Sequence, residues 1–179
     1  MQTLEPSVTG GEHVTAPSMP ATAHRLAERI ATRDAVCTVV CQGRAGFPLA
    51  EQIAAAGYTV YGFDTASTAI ERCTVASQQP TYQAVHSPVV LAGSDIAIVA
   101  APTPTRRDSA GHCPDYSALI NAVRTLVRHL PDDGRARLII VESTVPPGTT
   151  RELVAPMVAA RFELGETALI GDCWRAGIC

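Results

Sequence analysis

The sequence predicts an α/β fold, a doubly wound and mostly parallel sheet with helices on both faces, and three observations carry that expectation. Short apolar runs rich in β-branched residues recur at 36–40, 58–63, 95–100 and 137–141, as strands buried on both faces require. Segments with helical spacing of apolar residues lie between them. The runs end in glycines, prolines, hydroxyls or acids, which places ligand-type residues at the carboxyl edge of the sheet.

The first unit is the most informative. Val36–Val40 reads as a strand, and Cys41-Gln42-Gly43-Arg44-Ala45-Gly46 fills the slot of a G-x-G-x-x-G turn. A helix follows with Phe47, Ala50, Ile53 and Ala54 on one face, and Gly57 is its stop signal. The second strand, Tyr58 to Phe63, ends on Asp64, 21 residues after Gly43, where an acid can hold an adenosine ribose. Glycines at 43 and 46 leave backbone amides open to a pyrophosphate at a helix start, the arrangement of a Rossmann-like nucleotide-binding unit. Cys41 stands where that pattern wants glycine, so the turn is either strained or less sharp.

Upstream, residues 1–20 are rich in Pro, Gly, Ser and Thr and read as a loose tail, and Ala21 to Ala31 as a short surface helix. Downstream, a short helix is expected around Ser67 to Arg72, loop from Thr74 to Pro88, and one helical turn at Val89 to Ala92. The strand Asp95–Ala100 runs into Ala101-Pro102-Thr103-Pro104, whose prolines turn the chain out over the carboxyl edge. Thr103 is either a hydroxyl aimed at a ligand or part of a rigid exit turn, and the sequence leaves both open. Arg106, Arg107 and Asp108 read as exposed loop up to Pro114. Asp115 is the expected N-cap of a core-packing helix running to Leu130. Strand Arg137–Val141 then delivers Glu142-Ser143-Thr144 to the same edge. After the turn Val145-Pro146-Pro147-Gly148, Thr149 and Glu152 have capping-box spacing, and Pro156 should kink or end the helix they start. The expected organisation is a tail with a short helix at 1–35, a dinucleotide-binding domain at 36–162 and an irregular tail at 163–179.

A chain of 179 residues with 46% hydrophobic and 17% charged residues has room for one proper core. A net charge of -3 and a pI near 5.9 argue against a nucleic-acid partner. Neither a signal sequence nor an apolar run of membrane-spanning length stands in it, and six cysteines without a C-x-x-C pair suit a reducing cytoplasm. His13 and His24 have no neighbours at metal-ligand spacing, and His86 reads as a loop residue with nothing beside it to orient an imidazole as a base. All 14 basic residues are arginine, which removes any lysine base or Schiff base from the possible mechanisms.

Four motifs stand in order: the glycine loop with Asp64, Pro102-Thr103-Pro104, Pro114-Asp115-Tyr116-Ser117, and Glu142-Ser143-Thr144-Val145-Pro146-Pro147-Gly148-Thr149-Thr150. Together they resemble the N-terminal cofactor domain of the UDP-glucose/GDP-mannose dehydrogenase family over residues 36–162, the last motif being the most specific. That family oxidises the 6-hydroxyl of a UDP-sugar or GDP-mannose to a carboxylate in two NAD-dependent steps, through a cysteine-linked thiohemiacetal. The resemblance implies that NAD is the cofactor, that the amides of Gly43, Arg44, Ala45 and Gly46 hold its pyrophosphate, and that Asp64 holds the ribose. It also implies that Pro102 and Thr103 line the cofactor cleft and that Thr144 sits near the nicotinamide as the one catalytic candidate, positioning a water. The family's first glycine is Cys41 here, and Arg44 replaces its aromatic residue. The segment between Arg72 and Tyr82 is shorter than in the family. The family's Y-S-P-E segment, oligomerisation helix, G-F-G-G-x-C nucleophile motif and sugar-nucleotide domain have no counterpart in the sequence. The expectation is therefore a truncated cofactor domain, inactive by itself, that meets a nucleotide sugar only if the missing part is supplied. A non-catalytic dinucleotide-binding module and a degenerate fragment are the alternatives.

Overall fold

The structure, a computed structural model, describes residues 19–108 and 111–172, so all but the last two residues of the expected loose tail at 1–20, and the last two cysteines, lie outside the described residues. Strands β1 (Val36–Val40), β2 (Thr59–Phe63), β3 (Tyr82–Val85), β4 (Ile96–Val99), β7 (Arg137–Val141) and β8 (Ala168–Asp172) form one six-stranded sheet in the order β3-β2-β1-β4-β7-β8. Every pairing in it is parallel. β5 (Thr105–Asp108) and β6 (Gly111–Pro114) make a separate antiparallel hairpin. The helices are α1 (Ala21–Thr32), α2 (Gly46–Ala55), α3 (Ser67–Ala76), α4 (Ser117–His129) and α5 (Ala155–Ala159).

Strand order proceeds outward from β1 in both directions, the doubly wound arrangement with its switch point between β1 and β4. Side-chain alternation along β1 sends successive residues to opposite faces and divides the core into two layers. Cys37 and Val39 pack with Ala50 and Ala54 of α2 and with Val60, while Val40 joins Val99, Val141 and α4's Leu119, Val123 and Leu126 on the other face. Both layers are dry enough to bury Val39, Val60, Leu119 and Leu126 completely.

Several expectations need correction. β3 lies in the segment read as loop, and β8 in the segment 163–179 read as irregular. Both are edge strands with one neighbour each, so neither carries the unbroken apolar run of the inner strands. Residues 105–108 and 111–114, read as exposed loop, are the paired strands β5 and β6. α1 is tied into the domain: Tyr58 Oη donates to Ile30 O at 2.9 Å, and Thr22 Oγ1 to Glu166 O at 3.0 Å. α4 begins one residue later than expected, with Tyr116 at the cap position. Asp115 instead accepts the Ser117 N–H at 3.0 Å and its hydroxyl at 2.6 Å, and pairs with Arg106 at 2.6 Å. These bonds, those from Ser117 first, hold the Asp115 carboxyl below the usual range.

Thr149 and Glu152 form no capping box: no side chain caps this helix start, and the Glu152 N–H reaches Gly148 O at 2.8 Å. The helix opens as a wide π turn over Thr150–Val154 and continues as α5, with Pro156 inside α5's first turn. The change from π turn to α5 falls immediately before Pro156, and the proline does not end the helix, which runs on to Ala159.

At the amino edge of the sheet, Asp95 is 2% exposed and takes Arg29 at 2.6 Å, Arg135 at 2.5 Å and the Val36 N–H at 2.9 Å. This knot fastens α1, β1, β4 and the approach to β7 at one point. Cys37, Cys41, Cys73 and Cys113 are free thiols.

Candidate functional site

A cavity of about 680 Å3 opens at the carboxyl edge, between the ends of β1 and β4. Its walls come from five places in the chain: the glycine loop, the end of β2, the exit from β4, one face of α4, and the segment after β7.

The glycine loop makes the sharp turn the pattern calls for, in spite of its cysteine. Cys41 sits at φ 74°, the left-handed region that favours glycine, so strain is what the loop accepts. The turn brings the start of α2 so close that a Cβ on Gly46 would lie 1.9 Å from Cys41 O. Gly46 therefore serves the fit of helix to loop and does not line the cavity. Gly43 does line it, and a Cβ there would enter open space on the cavity side. No side chain caps α2, whose first-turn amides and dipole favour a negatively charged group.

Gln42, to which sequence reasoning gave no role, holds this loop from below. Its side chain is fully buried: Nε2 donates to Val39 O at 2.8 Å and Oε1 accepts the Tyr82 hydroxyl at 2.8 Å. Its carbonyl accepts Arg72 of α3 at 2.5 Å. Burial, first of all, pushes the Tyr82 phenol pKa upward and keeps it a donor. Gly62 makes room for the arrangement, since a Cβ there would lie 2.3 Å from Tyr82 Oη and 2.5 Å from Gln42 Oε1.

Asp64, half-buried on the cavity wall, accepts the Gln42 N–H at 2.7 Å through Oδ2 and the Ala66 N–H at 2.9 Å through Oδ1. Two amides leave a carboxylate with spare lone pairs, which suits it to ribose hydroxyls. Thr65 lines the cavity beside it. Across the crevice, Pro102, Thr103 and Thr144 come together: Thr103 Oγ1 donates to Thr144 O at 2.6 Å, binding the exit of β4 to the segment after β7. The two readings of Thr103 thus coexist, because its proton fixes the turn while its oxygen remains an acceptor on the cavity wall. Ser143, buried, donates to Val99 O at 3.4 Å behind them.

Of the eight site residues expected from sequence, Gly43, Arg44, Ala45, Asp64, Pro102, Thr103 and Thr144 line one cavity, and Gly46 lies beneath it. Sequence reasoning missed Asn121 and Thr125, which present polar atoms from α4. The available signal was a stripe of small and polar residues at 118, 121, 122 and 125, at helical spacing beside the apolar stripe. Cys41 also lines the cavity, but burial, helped by the charge of Asp64, pushes its thiol up to about 11. It is a neutral thiol at pH 7 and a poor nucleophile.

A doubly wound sheet with a glycine loop, an acid after β2 and a crevice at the switch point defines a dinucleotide-binding domain of the Rossmann type. A model of the UDP-glucose/GDP-mannose dehydrogenase family, NAD binding domain, matches residues 35–170. The chain belongs to this family and carries its nicotinamide-dinucleotide-binding domain. It is 31% identical over 127 residues to the UDP-N-acetyl-D-mannosamine dehydrogenase of Pyrococcus horikoshii, covering 62% of this chain and 29% of that enzyme. A UDP-glucose dehydrogenase structure from Pyrobaculum islandicum superposes with a TM-score of 0.66 at 26% identity, over 78% of this chain and 36% of that one. The GDP-mannose dehydrogenase of Pseudomonas aeruginosa shares the fold, with a TM-score of 0.67 at 19% identity, over 76% of this chain and 35% of that one. The chain thus spans about a third of the length of these relatives. Among the described residues no helix is long and apolar enough to cross a membrane.

Proposed function

We propose that this domain binds NAD in preference to NADP and forms the cofactor half of a cytoplasmic nucleotide-sugar 6-dehydrogenase. The observation that carries the reading is Asp64, whose carboxylate stands on the cavity wall with only uncharged amides bonded to it. Such a group accepts from the 2'-hydroxyl of an adenosine ribose and repels a 2'-phosphate, and Thr65 beside it brings no compensating cation. Gly43, Arg44 and Ala45 are assigned to the pyrophosphate, with Gly46 allowing the approach. Pro102, Thr103 and Thr144 are assigned to the nicotinamide end, where Thr144 would order a water. When bound, the cofactor supplies a hydride acceptor. Calorimetric titration of the purified chain with NAD and NADP tests the preference. NAD should bind at least tenfold more tightly, at about 1.4 kcal/mol per factor of ten; equal or tighter NADP binding refutes the assignment of Asp64.

The substrate class proposed is a UDP-sugar or GDP-mannose. Oxidation of an alcohol through to a carboxylate needs a thiolate to hold the aldehyde, and the cavity's own Cys41 is held in its neutral form. The 179-residue chain by itself is therefore expected to form no uronate from UDP-glucose, UDP-N-acetylglucosamine, UDP-N-acetylmannosamine or GDP-mannose. Activity that appears on adding a separately expressed C-terminal half of a relative supports the reading, and turnover by the chain alone contradicts it.

A further inference from the structure

A second cavity, of about 410 Å3, lies at the opposite, amino edge of the sheet, beside the Asp95 knot. It is lined by Arg25, Leu26 and Arg29 of α1, and by Asp95, Asp133 and Arg135. Charge is unevenly matched there. Asp95 is engaged by Arg29 and Arg135 through one terminal nitrogen of each, and Asp133 by Arg137 at 2.8 and 2.9 Å. Arg25 has no partner of either kind among the described residues. The Arg29 Nε is buried with no hydrogen-bond partner, a donor whose desolvation nothing in the fold offsets. Three lining guanidiniums thus stand against two lining carboxylates, one of which, Asp133, is already paired with Arg137 outside the lining, while Asp34 and Asp132 are exposed and do not line the cavity.

An excess of planar, permanently charged donors around a concave space is the chemistry that binds phosphoryl oxygens. From it we infer that the amino-edge cavity binds a phosphate dianion, free or as a phosphomonoester. Arg25 meets the anion directly, Arg29 Nη1 and the free nitrogens of Arg135 hold it from the side, and Leu26 supplies an apolar wall for an organic group. A space of about 410 Å3 exceeds what a bare phosphate fills, since a water molecule occupies roughly 30 Å3, so the phosphomonoester should bind more tightly. The site lies across the sheet from the cofactor crevice and does not depend on what that crevice binds.

The test is titration of the full chain with inorganic phosphate and, in parallel, glucose 1-phosphate, followed by amide chemical shifts at matched ionic strength against chloride. Expected are saturable shifts at Leu26, Arg29, Asp95, Arg135 and Ala136. Arg25→Gln should bind about tenfold more weakly or worse, the loss of a charged hydrogen bond. Arg25 is exposed and makes no hydrogen bond or ion pair among the described residues, so its substitution should leave the rest of the spectrum and NAD affinity unchanged. Tighter glucose 1-phosphate binding assigns the organic ester, and equal affinity assigns the free ion. Shifts confined to Gly43–Gly46, shifts reproduced by chloride, or undiminished binding in Arg25→Gln would each overturn the inference.

Discussion

Asp95 and Asp64 stand at opposite ends of the sheet, one just before β4 and the other just after β2, and the molecule treats them in opposite ways. Asp95 receives two guanidiniums and one amide and, though it borders the amino-edge cavity, is almost wholly covered by them. Asp64 receives two amides and faces a cavity. Guanidiniums bring charge, and Asp95 ends neutralised within its own fold. Amides bring dipoles without charge, so Asp64 keeps its negative charge on the cavity wall. The difference between a structural carboxylate and a binding one lies in what kind of donor satisfies it, more than in how many.

The largest effect should come from Asp95→Ala, which leaves the Val36 amide unpaired and releases two arginines that are themselves 42% and 50% exposed: a loss of about 2–4 kcal/mol in urea denaturation is expected. A loss below about 1 kcal/mol would break the comparison, placing Asp95 with ordinary surface pairs. Asp64→Ala should cost less stability, about 1–2 kcal/mol for two amide bonds, but should weaken NAD binding by about tenfold or more. Asp64→Asn sharpens the contrast: it keeps an acceptor and removes the charge, so the NAD-to-NADP preference should fall while stability is largely retained. Cys41→Gly should stabilise the chain by about 1 kcal/mol by relieving the left-handed backbone, and should tighten dinucleotide binding; unchanged stability would show that residue 41 is unstrained. The smallest effect concerns Asp133, whose carboxyl the Arg137 hydrogen bond holds down at about 2. Because the folded state takes up this proton less readily than the unfolded chain, its contribution is present above about pH 4 and is lost as pH falls towards 2. Asp133→Asn should flatten the acid limb of a stability-against-pH curve in that window.

The four inner strands were legible because burial on both faces writes itself as unbroken apolar sequence, as in Val36–Val40 and Arg137–Val141. Tyr82–Val85 and Ala168–Asp172 were not, since an edge strand is half-paired and partly solvated, and YQAV or ALIGD carries no period to read. The carboxyl-edge site was legible for a different reason. Its glycines, prolines and acid are local consequences of where strands end, whereas Asn121 and Thr125 reach the cavity only through the rotation of α4 against the sheet. Gln42 escaped notice because its role depends on Tyr82, 40 residues away.

Gln42, Tyr82 and Gly62 also constrain how this sequence can drift. With Tyr82 Oη 2.3 Å and Gln42 Oε1 2.5 Å from where a methyl on residue 62 would sit, the three positions share one volume and one hydrogen bond. Gly62→Ala alone must displace both partners, and Gln42→Ala beside it removes only one obstacle, so the change is accommodated only when the Tyr82 hydroxyl is lost as well, as in Tyr82→Phe. The fitness of each substitution is therefore set by the other two, and lineages descended from such a chain should exchange these residues as a set, along routes on which the order of mutation matters.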